Sequence, residues 1–216
     1  MRILGIDPGY AIVGYGAVEY RNNKFVPVEY GAIETPAGRD FPSRLEQIFD
    51  EMTALLVRLK PKAMAVEKLF FNSNTTTAID VAEARGVILL AARKQQVPIF
   101  EYTPLQVKQS VTGYGRAEKK QIMEMTRIFL GLEKVPKPDD TADALAMAIC
   151  HAHAAGSSLG RLNLALQAEP QKRPVPRPRN AASLLKRPEE RISPAGPGTA
   201  ANGARVRRNK QSLRDL

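Results

Sequence analysis

Three short apolar runs, Arg2 to Ile6, Val13 to Glu19 and Phe25 to Ile33, open this chain before any helical periodicity begins. Turn residues separate them, Asp7-Pro8-Gly9 and then Arg21-Asn22-Asn23. The second connection is so short that runs two and three must pair antiparallel. The period then changes. Pro42 and Ser43 introduce Leu45, Ile48, Phe49, Met52, Leu55, Leu56 and Leu59, a spacing that predicts a helix over about 43–60, ending before Pro61. Ala63 to Val66 has the length and apolarity of a buried strand. Asn74-Thr75-Thr76-Thr77 offers caps for a helix running to about Gln96, with small residues at Ala78, Ala82, Ala84 and Gly86. Val97 to Tyr102 reads as a strand, and Thr103-Pro104 as an N-cap followed by Pro in the first helical turn. A further helix spans Ala117 to Gly131. Asp139 or Asp140 caps a last one that reaches about Ala155 and is apolar nearly all round, hence buried. An opening meander followed by strands alternating with helices specifies an α/β fold with a mixed five-stranded sheet flanked by helices.

The chain of 216 residues, 44% of them apolar, is long enough for one core with an appendage. The boundary shows in the charge. Residues 1–156 hold 19 Lys and Arg against 18 Asp and Glu, whereas residues 157–216 hold 13 against 4, so nearly all of the net +10 sits in the last segment. That segment is interrupted by Pro-Val-Pro-Arg-Pro-Arg and Gly-Pro-Gly-Thr and cannot bury enough apolar surface to order itself. We expect a folded domain over 1–165 and a basic, Pro-rich, disordered extension over 166–216. A tolerated spacer and an added salt-sensitive hold on DNA are both open for it. A single cysteine, Cys150, cannot form an internal disulfide and suits a reducing compartment. No apolar run approaches the ~20 residues of a membrane span, and the N-terminal run is broken by Asp7 and Pro8, so a cytoplasmic protein is expected.

Four carboxylates stand at the edges of the predicted core. Asp7 follows Ile3-Leu4-Gly5-Ile6, Glu67 ends Ala63-Met64-Ala65-Val66, and Asp140 and Asp143 open the apolar last helix, three residues apart and therefore on one face. An isolated carboxylate in such surroundings costs several kcal/mol unless it is protonated, paired or metal-bound. Asp7 and Asp143 have no Lys or Arg beside them in sequence. If the first strand and the next parallel strand are neighbours, Asp7 and Glu67 meet at their C-terminal ends. Converging carboxylates repel, and a divalent cation reverses that repulsion; all-oxygen ligands favour Mg²⁺ or Mn²⁺ over zinc. Two such ions about 4 Å apart are a known means of cutting a phosphodiester by in-line attack. Each acid also has a plainer use: Asp7 as a turn former, Asp140 as an N-cap, Glu67 as an exposed strand end. Asp143, inside an Ala-rich helix, has none. His151 and His153 lie two positions apart and do not share a helix face, so they read as helix-end residues favoured by the dipole, not as a metal pair.

Ile3-Leu-Gly-Ile-Asp-Pro-Gly9, Ala65-Val-Glu-Lys-Leu-Phe70, Glu83-Ala-Arg-Gly86, Phe100-Glu-Tyr102, Gln106-Val-Lys-Gln109, Ala117-Glu-Lys119 and Ala142-Asp-Ala-Leu-Ala146 occur in an order that resembles the RuvC family of Holliday-junction resolvases, to about Ala165. The resemblance implies the ribonuclease-H-like form of the α/β fold and a homodimeric, Mg²⁺-dependent endodeoxyribonuclease. Such an enzyme, holding two Mg²⁺ per site with Mn²⁺ able to substitute, nicks two opposed strands of a four-way junction in recombination and repair. The same likeness implies work alongside the RuvA–RuvB branch-migration complex. Carried over by motif, Asp7, Glu67, Asp140 and Asp143 take the acidic metal positions, Lys108 and Lys119 act near the scissile phosphate, and Phe70 stacks on an unpaired base. Core packing for Phe70 and solvated charge for the lysines are the plain alternatives. Asp139 and Asp140 could exchange roles, and the extension has no counterpart in the family pattern.

Two other readings compete. Gly5-Ile-Asp-Pro-Gly9 is also similar to the phosphate loop of actin-like sugar kinases, which need a second nucleotide-binding half that 216 residues do not accommodate. A catalytically idle DNA-binding module on the same fold would be expected to lack one or more of the four acids. A C2 dimer suits a two-fold junction, and the small-residue helix near Ala78 to Gly86 is the candidate contact.

Overall fold

The computed structural model describes residues 1–68, 75–157, 160–162 and 165, all within the unit Met1–Gln171. β1 (Arg2–Asp7), β2 (Ile12–Arg21) and β3 (Lys24–Glu34) form the antiparallel meander. The β2–β3 turn places Asn22 and Asn23 at φ 51° and 59°, the left-handed pair that a tight hairpin matching strand twist requires. β4 (Ala63–Glu67) runs parallel to β1 and β5 (Ile99–Tyr102) parallel to β4, completing the order β3-β2-β1-β4-β5. The expected mixed five-stranded sheet flanked by helices is present.

The helices are α1 (Phe41–Leu59), α2 (Thr75–Lys94), α3 (Pro104–Thr112), α4 (Lys119–Leu130) and α5 (Asp139–Gly156). Asp40 caps α1 by accepting from the Ser43 amide, and Thr103 caps α3 while Gln106 accepts from the Thr103 amide. α5 departs from expectation. Its N-cap is Pro138, and Asp139 and Asp140 lie in the first turn without a capping hydrogen bond. Asp139 instead takes the ammonium of Lys137 at 2.6 Å, which draws it away from the helix amides. Asn74 and the side chains of Thr75 to Thr77, the proposed caps of α2, lie outside what is described, as do residues 166–216. Among the described residues no helix is long and apolar enough to cross a membrane.

Strand alternation sorts the side chains. Leu4, Ile6, Met64 and Val66 pack with Ile48, Met52 and Leu56 of α1 and Ile88 of α2. Ile3 and Ala65 face the other way, toward Leu145 and Ile149 of α5 and Val107 of α3. Asp7 and Glu67 follow the second alternation and so look to the α5 side. α5 lies directly on the sheet there. A Cβ at Gly5 would collide with the Ala144 carbonyl, and one at Gly14 with that of Asp140, so only glycine permits this approach. Thr141, fully buried, donates to the Gly31 carbonyl at 3.0 Å and ties the start of the helix to β3.

Candidate active site

Ile6 of β1 pairs with Val66 of β4 in register, so Asp7 and Glu67, one residue further along each strand, stand side by side at the C-terminal ends. α5 crosses above them with Asp143 in its second turn. Asp7, Glu67 and Asp143 line one cavity of about 200 Å³, closed by Pro104, Val107 and Lys108 of α3, Lys119 and Ile122 of α4, and Met147 of α5. Three acids and two lysines from five elements therefore share one wall-to-wall space.

The charge is unbalanced. Burial, followed by the charges of Asp143, Glu67 and Asp140, pushes Asp7 up from the ordinary 3.8 to about 7, against a small opposing pull from Lys119. Burial and then Asp143 raise Glu67. Lys119 Nζ lies 3.0 Å from Asp143 Oδ2, a contact that alone would hold the carboxyl down. Burial and the neighbouring Asp140 and Asp139 outweigh it, and Asp143 is raised as well. For Lys119 itself burial pulls the ammonium down, but the hydrogen bond and charge of Asp143, with Asp139 and Asp140, give a net rise. So the first residue of α4 supplies the counter-charge that the sequence around Asp143 lacked.

The neighbouring acids separate. Asp139 is engaged by Lys137 at 2.6 Å and by Lys119 at 3.7 Å, and it is held below the usual range chiefly by the Lys137 hydrogen bond. Asp140 is among the charges that raise Asp7. Phe70 lies outside the described residues. Among those described, no three Asp, Glu, His or Cys side chains are already gathered as a metal-holding cluster. The donor chemistry nevertheless fits a hard divalent cation: all oxygen, partly buried, with three carboxylates raised first by burial and then by one another, and one lysine against them.

Some contributors carried no readable role in the sequence. The apolar walls Val107, Ile122 and Met147 are ordinary helix residues until the fold converges. Gly5 and Gly14 could have been suspected as close-approach positions, but their partner helix could not. Arg85, from α2, donates Nε to the Glu67 carbonyl at 3.2 Å and pairs with Glu101, bracing the end of β4 from behind. His151 corrects the helix-dipole reading: burial lowers it to about 4, so it is neutral and bonded to Tyr102 instead of charged at a helix end.

A ribonuclease-H-like sheet whose adjoining parallel strands and covering helix bring acids to one cavity defines the class of nucleases that work on this scaffold. The sequence model described as "Crossover junction endodeoxyribonuclease RuvC" matches residues 3–151. The crossover junction endodeoxyribonuclease RuvC of Brevibacillus brevis is 62% identical over 152 residues, covering 70% of this chain and 92% of that protein. That of Desulfitobacterium hafniense is 59% identical over 153 residues, covering 71% and 93%. Among solved structures, Thermus thermophilus RuvC in complex with Holliday junction substrate is 36% identical with a TM-score of 0.69, covering 72% of this chain and 94% of that one. The chain belongs to the RuvC family of crossover junction endodeoxyribonucleases, a family of metal-dependent nucleases.

Proposed function

We propose that this protein resolves four-way DNA junctions by nicking two opposed strands symmetrically, in homologous recombination and repair, with Mg²⁺ held by Asp7, Glu67, Asp143 and Asp140. The observation that carries the site assignment is the placing of Asp7, Glu67 and Asp143 around one cavity from β1, β4 and α5. Bound in a pair, the ions supply Lewis acidity for attack of water on the phosphodiester and for the leaving oxygen; Mn²⁺ meets the same donor set. The chain's own residues do the rest. Lys119 neutralises Asp143 and keeps that carboxylate oriented into the cavity. Lys108, on the opposite wall, meets the phosphate backbone. Asp7, pushed up to about 7, holds a proton near neutral pH that it would give up to ligate a cation. Phe70, in the segment that follows β4, stacks on an unpaired base at the crossover.

Symmetric nicking calls for two sites, and a homodimer supplies them. α2 offers the contact: Ile79 and Leu90 are 60% and 53% exposed on a stripe that includes Glu83 and Gly86, and a Cβ at Gly86 would meet nothing. In this reading residues 1–165 are the nuclease and 166–216 a basic extension, acting in the cytoplasm alongside a RuvA–RuvB branch-migration complex. Cleavage of a four-way junction against a linear duplex of the same sequence, with and without Mg²⁺, tests the proposal. Paired nicks in the junction alone support it. Equal cutting of both, or none with Mg²⁺, refutes it.

A further inference from the structure

The buried pair Tyr102–His151 sits under the candidate site and belongs to none of the roles above. Tyr102 is the last residue of β5 and pairs in register with Glu67, and its carbonyl accepts from the Lys68 amide at 2.8 Å. Its ring is buried, and its hydroxyl meets His151 Nδ1 at 2.8 Å. His151 is 2% exposed and lies on α5 two turns beyond Asp143, on the face that also carries Met147 into the cavity wall. Phe100 of β5 packs on the imidazole with ring centroids 4.6 Å apart. With the proton of the neutral imidazole on Nε2, Nδ1 is free to accept from the Tyr102 hydroxyl. This is a directional contact between the strand pair that ends in Glu67 and the helix that carries Asp143. Among the described residues, no other side-chain hydrogen bond joins β5 to α5.

We propose that the Tyr102–His151 hydrogen bond is a positioning device that sets the rotation and height of α5 over β4 and β5, and thereby the separation of Asp143 from Glu67. The inference rests on the nuclease reading, and it deepens that reading by naming what holds the two acids at metal-binding spacing. An alternative role, simple filling of the core, makes the opposite prediction for chosen substitutions. Asn at position 151 keeps an acceptor where Nδ1 stood but leaves a gap, whereas Leu fills the space and keeps no acceptor.

The experiment measures Mn²⁺ affinity by calorimetry and single-turnover cutting of a four-way junction for the unsubstituted chain, Tyr102→Phe, His151→Leu and His151→Asn. We expect Tyr102→Phe and His151→Leu to weaken Mn²⁺ binding about tenfold, the effect seen when a partner orienting a metal ligand is lost, with junction affinity unchanged. His151→Asn is expected to stay within about threefold of the unsubstituted chain, and the double variant Tyr102→Phe with His151→Leu to be no worse than either alone. Thermal unfolding of each variant separates folding from positioning: the order of metal affinities must differ from the order of stabilities. If His151→Leu binds Mn²⁺ better than His151→Asn, or if Tyr102→Phe leaves affinity and cutting unchanged, the pair only fills space and the inference is overturned. An unsubstituted chain that binds Mn²⁺ but cuts no junction overturns the nuclease reading while the affinity series still decides the positioning.

Discussion

The two faces of the sheet are built on different terms. On the α1–α2 face, Leu4, Ile6, Met64 and Val66 meet Ile48, Met52, Leu56 and Ile88, an aliphatic layer with no titratable group among its buried members. On the α5 face the same strands present Gly5, Asp7, Ala65 and Glu67 to an alanine-rich helix that buries its own Cys150 and His151, with Tyr102 of β5 buried against it. Bulky side chains hold a helix off a sheet by their volume; glycine and alanine let it close until backbone meets backbone. The first face derives stability from burial, about 25 cal/mol per Å². The second gives up some of that burial, and its gain is a helix placed closely enough for Asp140 and Asp143 to bear on Asp7. Stability and chemistry therefore share one sheet and divide its faces.

That division can be broken, and the largest expected effect is on chemistry. Asp7→Asn should leave junction binding intact and reduce cleavage by at least about a thousandfold, since one of few metal donors is lost; gel-shift and cleavage assays on one preparation check it. A substituted chain that still cuts removes Asp7 from the metal set.

Next comes the packing contrast. Met52→Ala, fully buried on the α1 face, should lower stability by about 2–5 kcal/mol and leave the Mg²⁺ concentration for half-maximal cutting unchanged. Gly14→Ala, which collides with the backbone of α5, should cost about 3 kcal/mol and also shift that metal midpoint upward. Denaturant titrations and metal titrations of the two variants read both quantities. Equal metal midpoints would erase the distinction between the faces.

A pH series sharpens it further. Asp7 is raised from 3.8 to about 7, so the metal-free folded state holds its proton more tightly than the unfolded chain. The associated stability is complete below about pH 4 and is lost as pH climbs through 7. Asp7→Asn removes that loss and should make the metal-free protein about 4 kcal/mol more stable than the unsubstituted one at pH 8, little of it at pH 4. Saturating Mg²⁺ should restore stability to the unsubstituted chain at pH 8. Urea unfolding at both pH values, with and without the cation, checks the sign. The smallest effect is expected from the C-terminal extension: removal of residues 170–216 should weaken junction binding mainly at low salt and leave cleavage unchanged, as measured by a salt titration of binding.

How much of this was legible in the chain depends on range. The succession of strands and helices along the chain followed from local periodicity and turn chemistry, whereas the meeting of Asp7 and Glu67 also needed β1 and β4 to be neighbours, as the sheet order makes them. Asp143 was recognisable as a misplaced charge. Its partner was not, since Lys119 reaches it only after α4 docks beside α5. The reading of Asp139 as a cap failed for the same reason: Lys137 and Lys119 compete for its carboxylate, and Pro138 takes the cap position. His151 was misread because helix-end electrostatics were weighed without the burial that holds it neutral. The role of Gly5 and Gly14 needs the partner helix in place, and periodicity contains no record of which helix crosses which strand.

The central claim is that three distant segments assemble one cation site. The most direct test is an anomalous difference map from crystals grown with Mn²⁺. Density is expected in the cavity between Asp7, Glu67 and Asp143, with Lys119 displaced from Asp143. A strong Mn²⁺ peak held by other residues, with this cavity empty and the Lys119–Asp143 contact intact, would contradict it.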